Sequence, residues 1–466
     1  MIQRRCFLAR SAALLAAPLA TCAQAQSAAS LPADLANQLE AHARKAPTAG
    51  AAVAVARGGT LLGSWTYGFA SLAFETPVRD DTLFACASVG KHVTALGILK
   101  LVDQGRVTLD ASVSAYLPNV PAAWADRSIR SLLNHTSGIP DHSLAPFKPS
   151  LTEDDPSREE FLKRALYREP LFAPGQGWSY CNTNYVLLGW IVEDMMGAPL
   201  AEALRQNVLR GLPTARYDGP GVVTPRLAEP YQYYQRYWRV PEAQTDQASG
   251  AGGVQLSVRD IAPWGQALSQ DRVASRQAMR QALEWATLGS GQRLPYGFGW
   301  FLDEVRGEPV QWHTGGAPGH TAVLLRHGAE DLTVAVMMNT DPPSRFLRTM
   351  AWTAARAFAP QATYLDLPPL RRDRVDQRLA DLIGAGGPLK PSPGVFSEDF
   401  ARVLADPVEQ RRFAIGFKTD AQATPIEEYK VERGRMRRYQ IEDADKTDWR
   451  LVGFDDQDRI FWIWGC

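Results

Sequence analysis

The apolar positions of this chain switch between two periods. Residues 31–45, LPADLANQLEAHARK, space Leu35 and Leu39 by four and predict an amphipathic helix. AAVAVAR and TLLGSWTYG flank Gly58-Gly59 and predict two strands around a tight turn, the opening of an antiparallel sheet. From Ser88 the period turns helical, with Val93, Leu96, Ile98, Leu99 and Leu101 apolar and Gly105 as the stop. Residues 110–240 are irregular and rich in proline, with short helical patterns in REEFLKRALYRE and NYVLLGWIVEDMMG. Strand patterns return in PVQWHTGG, HTAVLLRH and DLTVAVMMN, and a helix, FLRTMAWTAARAFA, follows. Strands at both ends with helices between them predict one sheet completed by both ends of the domain, plus a helical insertion.

QATYLDLPPLRRD, stiffened by Pro368-Pro369, is read as a linker over residues 361–369. Residues 370–466 carry the helical patterns RVDQRLADLIGA and SEDFARVLADPVEQRRFAIG. Three strand-like runs follow, EEYKVERG, MRRYQIED and WRLVGFDDQDRIFWIW, so a small α+β domain is expected. Its aromatic tail of Tyr439, Trp449, Phe461, Trp462 and Trp464 is accounted for by core packing.

Charge and composition narrow the function classes. Fifty Lys and Arg balance fifty Asp and Glu, which leaves no electrostatic basis for binding nucleic acid. No interior apolar run is long enough to span a bilayer. The N-terminus differs: Arg4, Arg5 and Arg10, then SAALLAAPLA, then Ala23-Gln24-Ala25 have the layout of an export signal over residues 1–25. RRCFL is also similar to a twin-arginine signal, the alternative to the general secretory route, and Thr21 makes Cys22 a poor lipidation site. The mature chain is therefore expected to be periplasmic or secreted, with no integral membrane segment. The cysteines left, Cys86, Cys181 and Cys466, are too few for a disulfide framework, and buried free thiols are expected.

Three stretches carry candidate chemistry. FACASVGKHVTAL puts Ser88 three residues before Lys91, within hydrogen-bond reach on one helix face. Alone, S-x-x-K is a weak signal, with about one chance match expected in a chain this long. GWSYCNTNYVLLGW places Tyr180 and Asn182 in a polar loop ahead of an apolar helix. A tyrosine near an ammonium can have its phenol pKa lowered and serve as general base, and an asparagine can both donate and accept. The bland alternative is a turn capped by Asn182 or Thr183. WHTGGAPGH ends a strand at His313, where Gly315 and Gly316 allow a backbone to approach a ligand. A strand edge there can hold a substrate as an added strand and present an oxyanion-hole N–H.

SVGK, YCN and HTG in this order, with LLNHTSGIPDH between the first two, resemble the S-x-x-K, Y-x-N and K-T-G or H-x-G motifs of the penicillin-recognising serine hydrolases of class C β-lactamase type. VRDDTLFACASVGK, APGQGWSYCNTNYVLLG, GAGGVQLSVRDIAPWGQAL and YGFGW add to the likeness, which covers residues 32–360. The resemblance implies an α/β (α+β) fold of the β-lactamase/transpeptidase type, an antiparallel sheet flanked by helices beside an all-helical subdomain. It implies Ser88 as acyl-enzyme nucleophile, Lys91 as its proton partner and Tyr180 as general base. Asn182, His313, Thr314 and Gly315 would position substrate, and the N–H groups of Ser88 and Gly316 would form the oxyanion hole. No metal or other cofactor is implied.

HTG in place of KTG exchanges a permanent cation for a group mostly neutral at pH 7, which weakens the anchor for a β-lactam carboxylate. The substrate expected is a small molecule or peptide with an amide or ester bond, in a D,D-carboxypeptidase-, D-aminopeptidase- or esterase-like reaction. The alternatives are a β-lactamase and a non-catalytic binder of cell-wall peptides or β-lactams. A metal hydrolase is disfavoured because His135 and His142, or His313 and His320, sit in no H-E-x-x-H or cysteine pair, and no G-x-S-x-G occurs. The C-terminal domain resembles, in layout, the cystatin- or NTF2-like domains that follow this hydrolase in some relatives, which implies an accessory role.

Overall fold

A computed structural model describes residues 30–145, 157–218, 222–241, 249–342 and 344–465; the predicted signal at 1–25 and Cys466 lie outside them. The main sheet has seven antiparallel strands. Its N-terminal part is β1 (Gly50–Arg57), β2 (Thr60–Ser71) and the short β3 (Thr76–Pro77). Its later part is β4 (Phe301–Val305), β5 (Glu308–Ala317), β6 (His320–His327) and β7 (Leu332–Met338). The order β4-β5-β6-β7-β1-β2-β3 joins the two parts where β1 pairs β7, as the strand patterns at both ends of the domain predict. Gly58 and Gly59 both have positive φ, 54° and 85°, the conformation a tight hairpin turn requires and other residues resist.

Alternation along β1 decides what covers each face. Ala51, Val53 and Val55 point into one core with α1 (Ala33–Lys45), and Ala52, Ala54 and Ala56 into the other. The alanine face is shallow, so α4 (Val258–Ser269) lies close to the sheet. A Cβ at its Gly265 would stand 2.6 Å from the Thr333 hydroxyl. The long helix α5 (Ser344–Phe358) joins α1 on the first face. Between the two groups of strands run α2 (Lys91–Asp103) and α3 (Asn182–Met196) with shorter helices, the helical subdomain. Helix α2 is buried on nearly all sides from Lys91 to Leu101, which explains its lack of a polar stripe. Among the described residues no helix is long and apolar enough to cross a membrane.

The C-terminal region consists of α6 (Arg374–Ala385), α7 (Glu398–Val403), α8 (Pro407–Arg412) and a meander of β8 (Gln422–Val431), β9 (Gly434–Glu442), β10 (Thr447–Phe454) and β11 (Ile460–Gly465). The third strand-like run divides into β10 and β11. The Asp455 carboxylate folds it back by accepting from the Gln457 and Arg459 N–H groups at 3.0 and 2.8 Å. This meander shares a core with the main sheet. Trp464 stacks on Phe301 at 5.2 Å, and Trp462 meets Trp178 edge-on at 4.8 Å. The fully buried Arg438 grips Asp303 of β4 with two hydrogen bonds of 2.9 and 3.0 Å. Inside the segment read as a linker, Tyr364 is buried, with the Arg438 guanidinium 4.3 Å over its ring.

Candidate active site

Ser88 sits on a one-turn 3-10 segment, Ala87–Gly90, that leads directly into α2. Ala87, just before it, has φ 45°, a left-handed backbone that a residue with a Cβ resists. Such strain persists where surroundings over-determine it. Here β5 does so. A Cβ at Gly315 would stand 1.9 Å from the Cys86 carbonyl oxygen and 3.2 Å from the Ser88 nitrogen, so only glycine allows β5 to lie against the serine turn. Strand β4 pairs with β5 only over Glu308–Trp312, which leaves the edge of His313–Ala317 uncovered by β4 beside Ser88. Gly316 is exposed, and an added Cβ there would meet nothing within 4 Å.

Lys91, fully buried, is the hub. Its Nζ lies 2.7 Å from Asn182 Oδ1, 2.8 Å from the Ala251 carbonyl and 3.1 Å from Ser88 Oγ. The first two oxygens can only accept, so they claim two N–H bonds. The third position faces a hydroxyl that can accept or donate. An ammonium there donates to Ser88, and a neutral amine receives the serine proton. The Ala251 carbonyl reaches the hub because the Gly250–Gly253 run is thin. A Cβ at Gly250 would lie 2.1 Å from the Tyr185 carbonyl oxygen.

Asn182 and Tyr180 close the other side. Asn182 opens α3 without capping it: Cys181 occupies the cap position with no side-chain bond, and Thr183 donates to the Pro140 carbonyl at 2.7 Å. The capping alternative therefore does not describe this turn. The Asn182 amide is oriented by Asp141, whose carboxylate accepts from its Nδ2 at 3.3 and 3.4 Å. A carboxylate accepts only, so the amide oxygen must face Lys91. The Tyr180 ring lies under the Lys91 Nζ at 4.8 Å from its centroid. Its phenol pKa is nonetheless raised, because burial outweighs the hydrogen bond with Ser88 that pulls it down. The shift runs opposite to the lowering that a neighbouring ammonium alone would give.

His313 is 1% exposed and engaged at both ring nitrogens. Nδ1 lies 2.6 Å from the Thr314 carbonyl, so it carries the proton; Nε2 then accepts from the Tyr296 hydroxyl at 3.2 Å. That hydroxyl accepts from His135 Nε2, also at 3.2 Å, and His135 Nδ1 accepts from the Cys181 N–H. The chain links the YCN and HTG motifs with both imidazoles neutral. Burial first, and then the Lys91 charge, push the His313 pKa down to about 3 and that of His135 well below its ordinary value. The sequence-stretch YGFGW supplies Tyr296, and LLNHTSGIPDH supplies His135 and Asp141. Of the paired histidines weighed as metal ligands, His142 hydrogen-bonds Thr183 and His320 is buried in the sheet. Cys86 and Cys181 are free and buried, and burial raises both thiols to about 12.

The beta-lactamase family matches residues 35–358. A penicillin-binding protein of Bacillus subtilis (strain 168) is 29% identical over 315 residues, 63% of this chain and 69% of that protein. A D-aminopeptidase of Gluconobacter oxydans (strain 621H) is 27% identical over 297 residues, 63% of this chain and 56% of that protein. Esterase EstB of Burkholderia gladioli is 34% identical over 232 residues, 47% of this chain and 59% of that protein. Among solved structures, a D-amino acid amidase from Ochrobactrum anthropi SV3 superposes with a TM-score of 0.60 at 24% identity, over 70% of this chain and 96% of its own. An octameric penicillin-binding protein homologue from Pyrococcus abyssi has the same TM-score at 18% identity and covers 91% of this chain and 96% of its own. A family match over most of the chain, on a fold shared with these structures, means that this protein belongs to the beta-lactamase family of serine hydrolases.

Proposed function

We propose that this protein cleaves small amide or ester substrates through an acyl-enzyme on Ser88, in the manner of a D-aminopeptidase, D,D-carboxypeptidase or esterase rather than an efficient β-lactamase. The observation that carries the reading is the Lys91 hub: two obligate acceptors fix two N–H bonds and aim the third position at Ser88 Oγ. Lys91 as amine takes the serine proton while Oγ attacks the substrate carbonyl. The developing oxyanion lies against the N–H groups of Ser88 and Gly316. Tyr180, protonated at rest and hydrogen-bonded to Ser88, gives its proton to the departing amine or alkoxide, and the proton held by Lys91 replaces it. Water then attacks the Ser88 ester, the Tyr180–Lys91 pair takes its proton, and Oγ is reprotonated as the acid leaves.

The His313 ring supports the preference against β-lactams. It is neutral and turned into the protein, so it offers no cation to a substrate carboxylate. The open edge of β5 supports an extended substrate laid beside Ser88. Arg4, Arg5, the apolar stretch after Arg10 and the Ala23-Gln24-Ala25 site support export to the periplasm or beyond.

Intact-protein mass spectrometry after exposure to a p-nitrophenyl ester and to a penicillin tests the assignment. At least one reagent is expected to give an adduct or turnover in the wild type. Ser88→Ala is expected to lose at least about ten-thousandfold in turnover while melting at the same temperature. Equal turnover by Ser88→Ala would refute the nucleophile, and an inert wild type would favour a binder.

A further inference from the structure

Among the described residues, the Arg412 guanidinium reaches the hydrolase site from outside the helices and strands that build it. Helix α8 begins at Pro407, with Asp406 capping the Val408 and Glu409 N–H groups, and it ends at Arg412. The Arg412 guanidinium reaches across to the tyrosine loop. Its Nη1 donates to the Tyr180 carbonyl at 2.6 Å, the Ser179 hydroxyl at 3.1 Å and Glu409 at 3.2 Å. Its Nη2 donates to Asp141 Oδ2 at 3.2 Å. The side chain is 16% exposed, and its carboxylate partners Asp141 and Glu409 are 3% and 0% exposed. A cation placed between two buried carboxylates, one from each region, is a built contact rather than a surface ion pair.

The contact leads straight to the reacting atoms. From Arg412 the path runs to Asp141, from Asp141 to Asn182 at 3.3 Å, from Asn182 to Lys91 at 2.7 Å, and from Lys91 to Ser88 Oγ at 3.1 Å. The Asn182 amide can sit in two orientations, and turned over it would present N–H groups to Lys91. Asp141 decides between them, and Arg412 holds Asp141. A second strut from the same region supports the loop: Trp178, two residues before Tyr180, is wedged against Trp462, Trp464 and Phe413.

We propose that Arg412 is a positioning residue of the hydrolase, through which the C-terminal region sets the Asn182 amide, the Lys91 hub and the main chain at Tyr180. It touches no reacting atom itself, and the inference rests on Ser88 being the nucleophile. The C-terminal region is then part of the working site, and not an appendage tethered to it.

The test uses the full chain, with p-nitrophenyl acetate as probe. Arg412→Lys keeps the charge between the two carboxylates but lacks the planar fork that spans the Tyr180 carbonyl and Asp141. It is expected to fold with a cooperative melt, to lose about a hundredfold in kcat and to change KM by less than about threefold. Guanidinium ion added to Arg412→Ala is expected to restore at least about tenfold in kcat and to leave the wild type unchanged. Arg412→Ala combined with Asp141→Asn is expected to lose less in kcat than the product of the two single losses, since the two residues share the contact that orients Asn182 while the Tyr180 contact belongs to Arg412 alone. A folded Arg412→Lys with wild-type kcat, additive losses in the double variant, or guanidinium that raises the melting temperature without raising kcat would overturn the proposal. A wild type that forms no Ser88 adduct overturns the hydrolase reading and this inference together. A reactive wild type beside an equally fast Arg412→Lys overturns this inference alone.

Discussion

The two halves of the site are held in opposite ways. The serine turn is fixed by shape: Gly315 of β5 lies against the Cys86 carbonyl, Ala87 takes a left-handed backbone, and α2 is buried on nearly all sides. The tyrosine loop is fixed by charge and aromatic contact with the C-terminal region, through Arg412 and Trp178. Close packing has one solution and tolerates little change. Charged contacts specify which surfaces meet, and they are costly once half is removed. On the proposed mechanism the nucleophile has the first kind of support, and the loop that transfers protons has the second.

The largest effect on turnover is expected on the shape side. Gly315→Ala puts a methyl 1.9 Å from the Cys86 oxygen and must move the serine turn or the strand. Turnover should fall at least about a hundredfold, with about 1–3 kcal/mol lost in stability. Gly316→Ala, where an added Cβ meets nothing within 4 Å, is the control and should melt like the wild type. Equal melting and turnover for the two variants would remove the steric basis of the contrast.

On the charge side, Arg438→Met strands the buried Asp303 carboxylate and should cost about 3–5 kcal/mol. Pairing it with Asp303→Leu should recover part of that loss, since Glu427 also loses its Arg438 partner. The contrast predicts that Arg438→Met, assayed well below its melting point, also slows kcat by loosening the tyrosine loop. Unchanged kcat in a destabilised variant would mean that the two regions act independently.

The effect that leaves turnover at neutral pH untouched is a response to acid. His92 and His313 are pushed down to about 3 and His320 to about 4, each by burial first. Above about pH 6.5 they are neutral in both folded and unfolded chains. As the pH falls below that, the unfolded chain binds protons that the folded chain refuses, until the pH nears 4 or 3. Stability present at neutral pH is therefore lost on acidification, at up to about 1.4 kcal/mol per pH unit for each histidine. No histidine follows His327, so the C-terminal region lacks this sensitivity. Hydrogen exchange between pH 6.5 and 4.5, corrected for intrinsic rates, should show residues 50–340 opening first. Earlier opening of the C-terminal meander would reverse the prediction.

The shape side was largely legible in the sequence. Ser88 and Lys91 three apart, the glycines after His313 and the alternating strands are local patterns with local causes. The charge side was not. Arg411 and Arg412 are adjacent in one helical pattern, and only the fold exposes the first and seats the second beside Asp141. Ala251 contributes a carbonyl that no side-chain motif records, announced only by its flanking glycines. The sequence places an ammonium near the Tyr180 phenol, but the burial that raises its pKa depends on the whole fold and is not written in a motif.

The pairing of β1 with β7 sets a schedule for folding. Val53 waits for Val336 before the second side of its strand is satisfied, and the whole helical subdomain is synthesised between them. The hairpin of β1 and β2 forms early, but its inner edge stays open until nearly three quarters of the chain has emerged. Long-range pairing of this kind is slow and leaves a strand edge exposed to other chains. The alanine-rich sequence of β1 gives that waiting edge little apolar surface on one face, which slows mispairing during the interval when Ser88 already exists but has no strand to lie against.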